Sequence, residues 1–200
     1  TLLPMTTVLL SGFEAFDGDT RNPSGEIAKQ LNGERIASRR VVGIVLPVEF
    51  GRAARQLLRS IEHERPDIVI ATGIAASRGA ITPERFALNF VDARIADNAG
   101  RTPRARSIIR SAPLALPSTL RISRMLDALG AAKLPAEASL SAGSYVCNEV
   151  FFRLQHALSG SEIRSGFVHL PHAREMASGN TSAWPLQVLL TAVREVLAVA

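Results

Sequence analysis

Four short apolar runs, separated by helical patterns, constrain this chain to one kind of fold. Val8-Leu9-Leu10, residues 41–45 (Val41-Val42-Gly43-Ile44-Val45), residues 68–71 (Ile68-Val69-Ile70-Ala71) and Phe167-Val168 show no polar alternation. A strand with one wet face alternates apolar and polar residues, so uninterrupted runs indicate strands covered on both faces, the condition of parallel pairing. Between them, Ile27, Ala28 and Leu31, and then Phe50, Ala54, Leu57, Leu58 and Ile61, recur at helical spacing. Leu126 and Leu129 form a further helical pattern stopped by Gly130. The last comprises Leu186, Leu189, Leu190, Val193 and Leu197, beginning near Pro185, a residue that costs no hydrogen bond in a first helical turn. This alternation predicts an α/β fold, a single three-layer α/β/α domain over residues 1–200 with a mostly parallel, twisted central sheet. Its active site is expected near the carboxyl ends of the strands.

At 200 residues, 46% of them hydrophobic, the chain can bury a substantial core without disulfides or a structural metal. Its single cysteine excludes an internal disulfide and suits a reducing cytoplasm. The apolar residues at the start are too few for a secretory h-region, and no run reaches membrane-spanning length. Met5 reads as a natural start, with residues 1–4 additional. No internal repeat or low-complexity linker divides the chain. The net charge of +5 raises a nucleic-acid reading, centred on Arg101, Arg104, Arg106 and Arg110. Prolines interrupt that cluster and no aromatics interleave with it, so it reads as a solvated surface that can steer peptides or bias the choice of oligomer partner. Neither a nucleic-acid nor a membrane partner is expected. No Cys/His spacing of the zinc type is present, so neither a metal nor another cofactor is expected.

The lone cysteine stands in Ser141-Ala142-Gly143-Ser144-Tyr145-Val146-Cys147-Asn148, where an apolar strand pattern gives way to a helical one. Val150, Phe151, Leu154 and Leu158 place Cys147 in the first turn of that helix. Unpaired N–H groups and the positive end of the helix dipole there would lower the thiol pKa and prepare a nucleophile. The alternative is a buried, inert cysteine packed as a small apolar residue. Gly166-Phe167-Val168-His169-Leu170-Pro171 reads as a short buried strand that can present His169 to a cleft, which makes Cys147 and His169 a candidate nucleophile and base. His172 lies close by, whereas His63 and His156 read as solvated or packing residues. Glu84, after a proline turn, is the best candidate for an acid that orients the imidazole. Its alternative is a surface carboxylate beside Arg85.

Four separated segments together resemble the type I pyroglutamyl peptidases, cysteine peptidases that remove an N-terminal pyroglutamate. They are Ser11-Gly12-Phe13-Glu14-Ala15-Phe16 with Asn22-Pro23-Ser24; residues 81–89 with Asp92-Ala93-Arg94-Ile95-Ala96-Asp97-Asn98; residues 141–148; and residues 166–171. The match runs from near the start to beyond His169. It implies Cys147 as nucleophile, His169 as general base and then acid, and Glu84 as the group orienting His169. Arg94 and the Cys147 N–H would face the developing oxyanion. The same resemblance implies that Phe13, Phe16, Ile95, Tyr145 and Val146 line the slot for the flat lactam ring, although Phe13 and Phe16 taken alone read equally as core. It also implies peptides with an N-terminal pyroglutamate as partners and a homotetramer, with a dimer as the alternative.

The chain departs from the family's common pattern in Gly73-Ile74-Ala75-Ala76-Ser77-Arg78. Ala76 and Ser77 stand where glycines supply positive φ, and Ile74 offers no side-chain amide, which bears on lactam affinity more than on catalysis. Ala15 replaces a common proline and Asp17 a common glycine. The function expected is therefore a cysteine exopeptidase working through a thioester. The competing readings are a non-catalytic peptide- or nucleic-acid-binding protein on the same fold, and a redox-sensing thiol protein.

Overall fold

Each of the four apolar runs forms a strand, and the strands lie side by side. The computed structural model describes residues 6–176 and 182–200; the reading of Met5 as a start falls outside them. In chain order the elements are β1 (Thr7–Phe13), α1 (Pro23–Leu31), β2 (Arg35–Ile36), β3 (Arg39–Leu46), α2 (Arg52–Glu64), β4 (Ile68–Ile74), β5 (Thr82–Pro83), β6 (Phe86–Leu88), β7 (Ala115–Pro117), α3 (Ile122–Ala131), α4 (Val146–Ala157), β8 (Arg164–Leu170) and α5 (Leu186–Val199). A six-stranded sheet runs β2-β3-β1-β4-β8-β5, and β6 and β7 form a separate two-stranded antiparallel sheet. The four inner strands are parallel and the two-residue edges antiparallel.

The period of two in each inner strand divides the core. Val8, Leu10, Ile68 and Ile70 face α1, α3 and α5 through Ile27, Leu31, Met125, Leu129, Leu189 and Val193. Leu9, Val69, Ala71 and Phe167 face α2 and α4 through Leu57, Val150, Phe151 and Leu154. This gives the three layers read from the sequence. Phe151, Phe152 and Phe167 are fully buried, each stabilising the fold by roughly 1.5–3 kcal/mol relative to exposure. Asn22 caps α1 by accepting the Ser24 N–H at 3.0 Å, with Pro23 opening the helix. A side chain at Gly12 would overlap the Ser24 carbonyl, so glycine is what lets α1 press against β1.

The connection from β1 leads toward β3 on one side, and that from β4 leads toward β8 on the other. A crevice opens where such connections diverge, beyond the carboxyl ends of β1 and β4.

Local boundaries differ from expectation where tertiary contacts decide. Gly130 does not stop α3, which continues to Ala131. Phe50 precedes α2, whose N-cap is Gly51 at φ 72°. Pro185 is the N-cap of α5 rather than part of its first turn. No strand leads into α4. The segment before it is a loop whose ladder contacts, among the described residues, are the bridges of Ala136 to Ile81 and of Ser139 to Glu84. Among the described residues, no helix is long and apolar enough to cross a membrane.

Candidate active site

Cys147 lies in the first turn of α4, as read from the periodicity. The neighbouring Asn148 fixes that turn. Its buried amide accepts the Leu88 N–H at 2.9 Å and donates to the carbonyls of Leu88 and Phe90 at 2.9 and 2.8 Å. Glu149 accepts the Gly51 N–H at 2.6 Å and the Arg153 guanidinium at 2.9 Å, joining α4 to the start of α2.

Cys147 Sγ sits over Gly73. A Cβ placed on Gly73 would lie 2.9 Å from the sulfur and 3.0 Å from Phe167 Cζ, so a bare backbone is what seats the thiol there. In the β4–β8 register, Gly73 pairs with His169. The strand that supports the thiol is thus directly bonded to the strand that carries the imidazole, whose ring packs 4.8 Å from that of Phe167.

His169 is 4% exposed and Glu84 0%. Their Nδ1–Oε1 separation is 2.7 Å. The backbone of Glu84 is fixed between two neighbours, its N–H donating to the Phe167 carbonyl at 2.9 Å. Oε1 also accepts from Arg78 Nη1 at 2.6 Å, while Oε2 has no hydrogen-bond partner among the described residues. Arg78 is held in turn by Thr82 at 2.6 Å and the Ser141 carbonyl at 3.3 Å. Burial pushes the Glu84 pKa up, but the hydrogen bond and charge of His169, then Ser139 and Arg78, outweigh it and leave the carboxyl below its ordinary value. A carboxylate accepts only, so Nδ1 carries the proton toward it and the neutral ring keeps its lone pair on Nε2. Nε2 makes no hydrogen bond among the described residues. Burial lowers the His169 pKa, opposed by Glu84 and assisted by Arg78, so the ring is held in the neutral form a base requires.

The thiol differs from expectation. Burial pushes the half-buried Cys147 up to about 12, and the Glu84 charge adds to that. A backbone hydrogen bond and Arg78 pull the other way and lose. Desolvation therefore exceeds the helix-end effect that was expected to lower this pKa. No hydrogen bond joins Sγ to Nε2. The two shifts favour a neutral thiol at Cys147 and a neutral imidazole at His169.

Cys147 opens onto a cavity of about 360 Å³, lined among others by Phe13, Phe16, Asp17, Ile74, Arg94, Tyr145 and Val146. Phe16 and Tyr145 pack 5.4 Å apart, and the Tyr145 hydroxyl donates to the Ala96 carbonyl at 2.9 Å. Burial first, then Asp97, Asp17 and Cys147, raise the tyrosine's pKa, so it remains an un-ionised donor. Arg94 is exposed and has no ion-pair partner among the described residues. Ile95 lines an adjoining depression with Asp92, Ala142 and Gly143 instead of the Cys147 cavity. His169 is not among the residues that line this cavity.

A profile described as pyroglutamyl peptidase matches residues 6–200. The chain belongs to the pyroglutamyl peptidase family. A pyrrolidone-carboxylate peptidase of Chromobacterium violaceum is 45% identical over 184 residues, 92% of this chain and 86% of that protein. One from Pseudomonas fluorescens is 44% identical over 177 residues, 88% and 83% of the two chains. Among solved structures, the pyrrolidone carboxyl peptidase of Thermococcus litoralis superposes with a TM-score of 0.93 at 37% identity, covering 98% of this chain and 93% of that one. The pyroglutamyl peptidase I of Bacillus amyloliquefaciens gives 0.94 at 34% identity, covering 98% and 96%.

Within this pyroglutamyl peptidase fold, several residues near the site carried no role in the sequence reading. Arg78 sits at the end of an already notable loop, and a guanidinium six residues before a carboxylate was the available signal. His172 is buried, with Nε2 2.9 Å from Asp19 and Nδ1 3.1 Å from the Ala173 carbonyl. Gly73 and Asn148 gave no signal beyond their place beside the motifs. Ala76 and Ser77 do not take positive φ, whereas Asp17 does, at 55°. His63 is exposed beside Glu64, and His156 is exposed against Phe152. Half of the basic run is paired internally: Arg101 with Asp97 and Glu49, and Arg104 with Asp92.

Proposed function

We propose that this member of the family hydrolyses the amide bond after an N-terminal L-pyroglutamyl residue through a thioester, with Cys147 as nucleophile. The observation that carries the reading is the buried Glu84–His169 contact of 2.7 Å, with Nε2 left open one strand from the thiol. The lactam ring occupies the slot beside Phe13, Phe16, Tyr145 and Val146, with Ile95 at its margin, and its exocyclic carbonyl lies over Sγ.

As Sγ attacks that carbonyl carbon, the thiol proton passes to Nε2 of His169. Glu84 holds the ring in orientation and stabilises the imidazolium. Negative charge gathers on the carbonyl oxygen, facing the Cys147 N–H and Arg94. Collapse breaks the C–N bond, and His169 returns its proton to the departing amine. Water, deprotonated by His169, then attacks the thioester. The second collapse releases pyroglutamate and restores the thiol with the proton from His169.

The proposal extends to residues 1–200 acting as one catalytic domain and to a cytoplasmic setting, where a single reactive thiol stays reduced. It extends also to a homo-oligomer, tetramer or dimer. Phe86, Phe90, Leu114 and Leu140 are exposed apolar side chains that suit burial by a second copy.

The test is release of a chromogenic amine from an L-pyroglutamyl amide by reduced protein, beside Cys147→Ser and the matching L-prolyl amide. Turnover confined to the unsubstituted protein and the lactam substrate supports the reading. Turnover that persists in folded Cys147→Ser, or its absence from the folded unsubstituted protein, overturns it.

A further inference from the structure

The loop between β1 and α1 forms one wall of the Cys147 cavity and carries an uncompensated negative charge. Asp17 lines the cavity and is exposed. No hydrogen bond or ion pair engages its carboxylate among the described residues. Its φ of 55° is a left-handed conformation that glycine adopts without cost and that disfavours a side chain. Aspartate is one of the few other residues that tolerate it, and a carboxylate kept in such a position beside a reactive group is a reason to look for a role.

The turn that carries this carboxylate is held in place. The Asp19 N–H donates to the Phe16 carbonyl at 3.1 Å, closing a tight turn around Asp17 and Gly18. Asn98 donates to the Ala15 carbonyl at 3.0 Å on one side of the turn, and His172 holds Asp19 at 2.9 Å on the other. Asp19 and His172 line the same cavity and engage each other, both ring nitrogens of His172 facing oxygen acceptors. Asp17 has no such partner among the described residues. Its charge already reaches Tyr145, two residues from the nucleophile, where it helps to raise the hydroxyl pKa. The other open charge on the cavity wall, Arg94, makes no ion pair with Asp17 and is assigned above to the carbonyl oxygen of the reacting amide.

We infer that Asp17 is a specificity-determining residue that selects pyroglutamyl peptides with a cationic side chain directly after the lactam and disfavours those with an anionic one. The inference rests on the peptidase reading above. With the ring beside Phe16, the leaving peptide departs past the next residue of the loop, and its first side chain meets the Asp17 carboxylate. A single charge pair between partly solvated groups changes kcat/KM by roughly three- to tenfold per charge step.

The experiment compares kcat/KM for pyroglutamyl-X-alanine amides with X lysine, norleucine and glutamate, in the unsubstituted protein, Asp17→Asn and Asp17→Gly. Ratios within one protein are compared, so a change in overall rate cancels. The expected order is lysine above norleucine above glutamate in the unsubstituted protein. The ratios should collapse toward unity in both variants and shrink in about 0.5 M salt, where exposed charges are screened. Equal rates for lysine and glutamate, or an order that survives in Asp17→Asn, would overturn the inference while leaving the peptidase reading intact. Failure to cleave even the norleucine peptide would overturn the peptidase reading and this inference with it.

Discussion

Replacing Gly73 with alanine would test whether the seat of the thiol is a matter of fractions of an ångström. The new Cβ would stand 2.9 Å from Cys147 Sγ, 3.0 Å from Phe167 Cζ and 3.3 Å from Phe167 Cε1. Ordinary contact begins near 3.4 Å, so the sulfur must retreat by about half an ångström and the ring by a little less. Overpacking of this kind costs roughly 1–3 kcal/mol. The backbone of Gly73 is not left-handed, so alanine also removes unfolded-state freedom and returns about 0.4–1 kcal/mol. The net loss is about 1–2 kcal/mol, which lowers Tm by roughly 2–8 °C for a chain of this size. The effect on turnover is disproportionate. A misplacement of about 1 Å costs on the order of a hundredfold, so half of that should lower kcat by at least about tenfold in a protein still fully folded at the assay temperature. Urea unfolding and kcat on a pyroglutamyl amide measure the two effects separately. An unchanged kcat in the folded variant would refute the argument that Gly73 positions the sulfur.

The acid limb of kcat/KM reports the loss of neutral His169. Burial lowers that group's pKa, so activity should persist below the ordinary histidine range, about pH 6.5. Arg78→Met removes a charge that lowers both His169 and Glu84. Both pKa values should rise and the acid limb should move toward neutral pH; a limb that stays in place would show that Arg78 exerts no field on the pair. Because Cys147 is pushed up to about 12, iodoacetamide should alkylate the resting enzyme at neutral pH more slowly than a free cysteine. Alkylation faster than the free amino acid would mean that a thiolate–imidazolium pair already exists before substrate binds.

Sequence patterning reports periodicity, and that made the architecture legible. Runs such as Ile68-Val69-Ile70-Ala71 are apolar on both faces because helices cover both, and α4 follows the spacing of Val150, Phe151 and Leu154. The two-residue edges β2 and β5 were not visible, since pairing with a neighbour defines them more than their own residues do. Gly130 was read as a stop because glycine is a poor helix former, but its position within α3 has open space around it and the helix runs through. At the site, His169 could be recognised as a strand-end histidine. Glu84 could not be separated from a surface carboxylate until the resemblance was recognised, since its burial depends on contacts with Phe167 and Ser139 that are distant in sequence. The thiol pKa was read in the wrong direction because local sequence reveals the helix end and not the protein packed over the sulfur. Asp17 registered as a missing glycine, while its left-handed backbone and open charge became evident only in three dimensions.

The clamp formed by Asn148 has a mechanical consequence. Its three hydrogen bonds tie the start of α4 to Leu88 and Phe90. The Asp92 N–H donates to the Ser144 carbonyl, and the Ser144 hydroxyl donates to the Asp92 carbonyl, both at 3.0 Å. Cys147 and the segment bearing Arg94 are thereby joined as one stiff block, so thiol and guanidinium segment keep their spacing when either is pushed. The opposite wall, built on residues 16–19, meets its neighbours through side-chain contacts at an exposed turn. A push on the Cys147 side of the cavity is therefore shared by the whole block instead of being taken up by one side chain.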